Sequence, residues 1–142
     1  MTIVDDFSRA TWVYLLKVKY DVQLYILEFF ALVKKQFGKE IKAVRSDNAP
    51  ELALTDFYRS LGVVHFHSCV ETPQQNSVVE RKHRHILNVA RSLLFQSNLP
   101  HCYWSECIMT AVYLINIIPN PFLDKKTPFV LVHNKLTTYY YL

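Results

Sequence analysis

Apolar positions recur along the chain with two different periods. Between Val78 and Leu99, residues Val79, Ile86, Ala90, Leu93 and Leu94 return at three- and four-residue steps, and neither Pro nor Gly interrupts before Pro100. That is the period of an amphipathic helix, here of roughly five turns. The run before it, Thr72, Pro73, Gln74, Gln75, Asn76 and Ser77, is rich in amides and turn residues and reads as a loop. Thr2 to Asp6 and Ala10 to Val18 are instead rich in β-branched and aromatic residues, with DFSR between them, and predict an antiparallel hairpin. Asp21 can cap a helix to about Phe37, with Leu24, Leu27, Phe30 (or Ala31) and Phe37 inward and Gly38 as terminator.

Ile41 to Ser46 then reads as a short strand that ends at Asp47-Asn48, because Pro50 prevents its extension. Thr55 to Leu61 predicts a short helix capped by Thr55 and closed by Gly62, and Val63 to Ser68 another strand. Pro100 to Ile118 predicts a second long helix, with Tyr103, Cys107, Ala111, Leu114 and Ile118 inward and Trp104 as packing. Beyond a connector from Asn120 to Pro128, Thr127 can cap the short helix of TPFVLVHN. The alternation implies an α/β fold, a mixed sheet with flanking helices. The expected division is a core over residues 1–118 and a C-terminal extension of it over 119–142.

Composition sharpens this. Of 142 residues, 51% are apolar and 20% charged, with only two Gly, which excludes a disordered chain. Cys69, Cys102 and Cys107 form no zinc-type spacing, so reduced and mostly buried thiols are expected. Two Asp break the apolar run of the N-terminus, against a signal peptide, and the Ile108 to Ile118 patch is shorter than the ~20 residues of a membrane span. An intracellular domain without a membrane partner is expected. The net charge of +4 is unevenly placed: residues 81 to 99 contain Arg81, Lys82, Arg84 and Arg91 and no acid. Such a stripe is either a solvated helix face or a phosphate-binding surface.

The candidate chemistry rests on two carboxylates. Sites in folds of this kind lie beyond the carboxyl ends of strands, where Asp47 is placed. Glu80 falls in the first turn of the long helix, either favouring the helix dipole and pairing with Arg84 or facing a groove as a metal ligand. Carboxylates on separate elements suit Mg²⁺ or Mn²⁺ and phosphoryl transfer on a phosphodiester. A third acid is normally needed. Asp5 and Asp6 apply for that place, but Asp6 can start the hairpin turn while Asp5 faces solvent or pairs with Arg9. Glu51 and Asp56 read as surface residues. His65 with His67, and His83 with His85, lack zinc partners at known spacing and read as surface or groove histidines. Gln74, Gln75 and Asn76 are suited to hydrogen bonds with DNA.

Taken together, TIVDDFSRATWVYLL, VRSDNAPEL, TPQQNSVVERKHRHILNVARSLLFQSNLP, YW-x-E and TPF closely resemble the integrase catalytic region of Ty1/copia-type retrotransposon polyproteins. The resemblance covers nearly the whole chain. It implies an RNase H-like fold and a D-D-35-E divalent-metal site that trims and joins DNA ends. Asp47 of RSDN then matches the second catalytic Asp, and Glu80 of VVERKH the catalytic Glu. Gln74 to Ser77 matches a flexible segment beside the site, and Arg84 a phosphate contact. The family's first Asp lies on a strand upstream of TIVDDFSR, so the resemblance implies a fold lacking the first strand and a metal site incomplete in these residues. Asp5 and Asp6 match the VDDFSR turn and not that acid. Asp47 and Glu80 are 80 − 47 = 33 positions apart, a little less than the family pattern, and Ser77 stands where Gly is usual. The implied partners are element ends and target DNA, possibly with further copies of the chain, and the implied location is the nucleus. A non-catalytic nucleic-acid-binding remnant is the alternative reading.

Overall fold

The computed structural model describes residues 1–47, 49–67 and 77–133. The elements are β1 (Thr2–Val4), β2 (Thr11–Val13), α1 (Asp21–Leu32), β3 (Ala43–Ser46), α2 (Thr55–Ser60), β4 (Val64–His67), α3 (Ser77–Gln96), α4 (Trp104–Ile117) and α5 (Pro128–His133). They fall into two units: Met1 with residues 14–78, and residues 2–13 with 79–142.

In the first unit β3 and β4 pair in parallel, with Val44 opposite His65 and Ser46 opposite His67. α1 continues as a π-helical turn, Val33–Phe37, and stops at Gly38, whose φ of 60° is the left-handed conformation that glycine adopts without strain. Its buried residues are Val22, Ile26 and Phe29, while Leu24 and Leu27 are exposed. The expected inner face is thus corrected. This helix is apolar on most sides, so spacing alone leaves its roll open, and the partner decides it. That partner is the cluster of Tyr58 and Val63, against which Val22 and Ile26 are buried, with Phe30 5.1 Å from the Phe57 ring. Neither expected cap forms. Asp21 sits inside the first turn and accepts the Val18 N–H at 3.3 Å, and α2 starts without a side-chain cap from Thr55.

In the second unit β1 and β2 form the expected hairpin, shorter than its apolar runs. α3 buries Ile86, Ala90 and Leu94 against Cys107, Ile108, Ala111, Val112 and Ile115 of α4. Tyr103 and Ile118 are exposed, unlike the expectation for them, and Trp104 packs on this cluster as expected. Cys107 is buried but Cys102 is exposed. Thr127 caps α5 by accepting the Val130 N–H at 3.1 Å. Among the described residues no single helix is long and apolar enough to cross a membrane.

Among the described residues the strands pair as two two-stranded ladders, one antiparallel and one parallel, with flanking helices, in keeping with the expected α/β fold. Local pattern specifies strands and turns, whereas joining one ladder to another depends on neighbours that no local pattern names.

One polar contact anchors the hairpin. Asn116 of α4 donates from Nδ2 to the Thr11 carbonyl at 2.8 Å and accepts the Thr11 N–H at 2.9 Å. The amide thereby occupies the backbone of a strand residue that is 1% exposed, much as a neighbouring strand would. Asn116→Ala leaves both groups unpaired and is expected to cost about 1–3 kcal/mol. In thermal unfolding this is about 2–4 °C of Tm per kcal/mol for a chain of about this size. An unchanged midpoint would show that the two bonds contribute nothing net.

Candidate functional site

Asp47 directly follows the last residue of β3, as the sequence places it, and is exposed. Its Oδ1 accepts the Ala49 N–H at 3.3 Å, a weak turn bond that leaves most of the carboxylate uncommitted. The Ser46 hydroxyl donates to the Asp47 carbonyl at 2.9 Å and lies 2.9 Å from His65 Nε2. Behind it the rings of Tyr58, His65 and His67 form a row, with centroids 4.7 Å and 4.1 Å apart.

Glu80 lies in the first turn of α3 and is exposed. Among the described residues it forms no ion pair, so the expected Glu80–Arg84 pair is absent. Arg81, Arg84 and Arg91 are all exposed. With Asn88 they lie within about 80° of one another around the helix axis and opposite the buried stripe, so three guanidinium groups share one face.

Lys82 is turned differently. It is half-buried, and desolvation, reinforced by the nearby Arg9 guanidinium, lowers the pKa of its ammonium. One residue on, His83 Nδ1 lies 3.0 Å from the Thr2 hydroxyl, so this flank of α3 faces the hairpin. Gln74, Gln75 and Asn76 lie outside the described residues, as does Cys69.

Several other acids are held in local contacts. Asp5 holds the hairpin turn, its Oδ2 accepting from the Ser8 N–H at 2.8 Å and the Ser8 hydroxyl at 2.6 Å. Arg9, at φ 59°, pairs with Asp6 at 2.8 Å. The two expected roles are therefore exchanged: Asp5 starts the turn, and Asp6 takes the arginine. Asp56 lies 4.0 Å from Arg59 and Glu40 3.4 Å from Lys34. No group of three His, Cys, Asp or Glu side chains able to hold a metal occurs among the described residues. Asp47 and Glu80 are exposed oxygen donors whose chemistry fits Mg²⁺ or Mn²⁺ and not the softer metals. Sequence reading passed over Ser46. Its signal was a small hydroxyl residue at an inward strand position, immediately before the carboxylate.

The fold is that of a retroviral integrase catalytic core. The HTLV-2 integrase catalytic core domain in complex with magnesium superposes with a TM-score of 0.64 at 24% identity, over 92% of this chain and 80% of that one. The catalytic core domain of BIV integrase gives 0.64 at 20% identity, over 94% and 84%. A chain of the simian T-cell lymphotropic virus intasome, in complex with PP2A regulatory subunit B56 gamma, gives 0.70 at 20% identity, over 96% and 48%.

No protein-family model matches, but curated relatives do. The chain is 41% identical over 127 residues to the retrovirus-related Pol polyprotein from transposon RE2 of Arabidopsis thaliana, covering 89% of this chain and 9% of that one. It is 39% identical over 145 residues to that from transposon TNT 1-94 of Nicotiana tabacum, covering 100% and 11%. The chain is homologous to a segment of the retrovirus-related Pol polyproteins of plant copia-like transposons and spans about a tenth of their length. The resemblance read from SDN and TPQQN-x-VVERKHR is met.

His65 offers a check on the geometry around Ser46. Burial lowers its pKa from 6.5, and the neighbouring His67 lowers it further. A base with a depressed folded-state pKa binds fewer protons folded than unfolded. Stability from this group is therefore full above about pH 6.5 and falls as pH drops through the window below it. Histidine ring NMR is expected to show His65 titrating below 6.5, with His67→Ala raising the midpoint part of the way.

Proposed function

We propose that the chain is an integrase-type DNA strand-transfer core in which Asp47 and Glu80 each supply a carboxylate to a divalent cation, Mg²⁺ or Mn²⁺. The observation that carries this is the roughly 40% identity to transposon Pol polyproteins across nearly the whole chain, together with the integrase-core fold. A cation bound there would polarise the scissile phosphodiester and activate the attacking oxygen. The protein's part is to present exposed carboxylates, one at a strand end and one in the first turn of a helix. Arg81, Arg84 and Arg91 would neutralise DNA phosphates along one face of α3. The half-buried Lys82 would act near the hairpin, and Gln74, Gln75 and Asn76 would bind DNA in the segment before α3. DNA ends and target DNA are the proposed substrates, self-association accompanies the reaction, and the nucleus is its place.

Two carboxylates hold such a cation poorly, and catalysis by metal ions of this class relies on a complete ligand set. A polypeptide limited to these 142 residues is expected to show no Mg²⁺- or Mn²⁺-dependent strand transfer on labelled DNA ends. Robust transfer that disappears in Asp47→Asn and in Glu80→Gln would keep the carboxylate assignment and overturn the expectation of an incomplete site. Transfer indifferent to both substitutions would overturn the assignment itself.

The exposed arginine face favours a second reading, nucleic-acid binding without catalysis. Under either reading duplex affinity is expected to fall linearly on a log–log plot against salt, with about one unit of slope lost in Arg84→Ala. Affinity independent of salt, read by fluorescence anisotropy, would exclude the phosphate-binding role of α3.

A further inference from the structure

We infer that His65 is a positioning residue for Asp47, acting through the Ser46 hydroxyl to fix the strand end from which the Asp47 carboxylate projects. The inference rests on Asp47 being a metal-holding carboxylate, as proposed above. A hydroxyl has a single proton. The Ser46 proton is given to the Asp47 carbonyl at 2.9 Å, so the contact of 2.9 Å between Ser46 Oγ and His65 Nε2 requires the ring to donate. His65 is thereby held as the Nε2–H tautomer.

The relay reaches across the parallel ladder from β4 to the last residue of β3, and each part of it is restrained. Ser46 is 8% exposed, so water competes little for its hydroxyl. The His65 ring is flanked by Tyr58 and His67, which limit its rotation. At the far end, the carbonyl of Asp47 is fixed by Ser46 while its Oδ1 accepts from Ala49. The bond from Ser46 restrains the backbone from which the carboxylate projects, while the long Ala49 contact leaves the carboxylate oxygens available. A metal ligand gains affinity from this kind of outer support, because fewer orientations must be given up on binding.

The test titrates Mn²⁺ alone into the folded chain and follows paramagnetic broadening of the backbone amide signals of residues 43–47. Ser46→Ala and His65→Leu are each expected to weaken Mn²⁺ binding by roughly 10-fold, the low end for outer-shell partners of a metal ligand. The double variant should be no weaker than either single one, since both cut the same relay. His65→Gln, whose amide N–H replaces the Nε2–H donor, should restore binding. Losses that add in the double variant, or equal losses in His65→Gln and His65→Leu, overturn the inference.

Asp47→Asn separates the two levels. If it abolishes broadening while the Ser46 and His65 variants bind like the parent, the relay fails and the carboxylate assignment stands. If broadening survives in Asp47→Asn, the assignment fails and the relay with it. Should His65→Leu not fold, ¹⁵N spectra of the unaltered protein decide: a protonated Nε2 is expected, and a neutral ring protonated on Nδ1 overturns the relay.

Discussion

The second unit depends on the one buried cluster that α3 and α4 share. Ala90 and Ala111, one from each helix, are both 0% exposed within the same buried cluster. Ile86 and Leu94 of α3 and Ile108 and Ile115 of α4 make up the larger side chains of that cluster. This contact fixes the roll of α3, and the roll determines what each polar residue faces. Arg81, Arg84 and Arg91 are turned to solvent, Lys82 lies half-buried, and Glu80 is exposed. A bulkier residue at position 90 would disturb all of these at once.

The sequence made α3 legible because its two faces differ sharply, so period and polarity agree on one roll. It failed on α1 for the opposite reason. Asp21–Leu32 carries apolar residues on most sides, so the stripe of Leu24 and Leu27 was as plausible as that of Val22, Ile26 and Phe29. The choice rested on Tyr58 and Val63, which lie more than twenty-five positions further along the chain. Turn ends were legible wherever a backbone conformation demanded them, as at Gly38, and illegible where a cap depended on a side-chain rotamer, as at Asp21 and Thr55. Strand pairing beyond the hairpin was only partly legible, since periodicity says which face is buried but not which strand lies alongside.

For the site, residue type and placement on an element carried furthest. Asp47 after a strand and Glu80 in a first helical turn are where the local pattern puts them. What the pattern could not show was which acids are committed. Asp5 and Asp6 stand adjacent in one turn, and assigning the arginine to one and the serine to the other requires the fold of that turn, including Arg9 at φ 59°. Lys82 was grouped with its neighbours because sequence adjacency looks like spatial adjacency. On a helix it is not, since successive residues are turned by ~100°.

Commitment is also what separates a metal-holding carboxylate from a structural one. An acid already accepting two short bonds, like Asp5, must break them before it can hold a cation, and the turn it supports would loosen with them. Asp47 faces no such conflict. Its structural duty is carried by its backbone carbonyl, through Ser46, so its carboxylate needs to give up only the long contact to Ala49. Dividing the work this way lets one residue be rigid in its main chain and available in its side chain. That combination is what a strand end offers a charged residue: the ladder orders the backbone up to Ser46, and the next side chain projects where pairing has ceased.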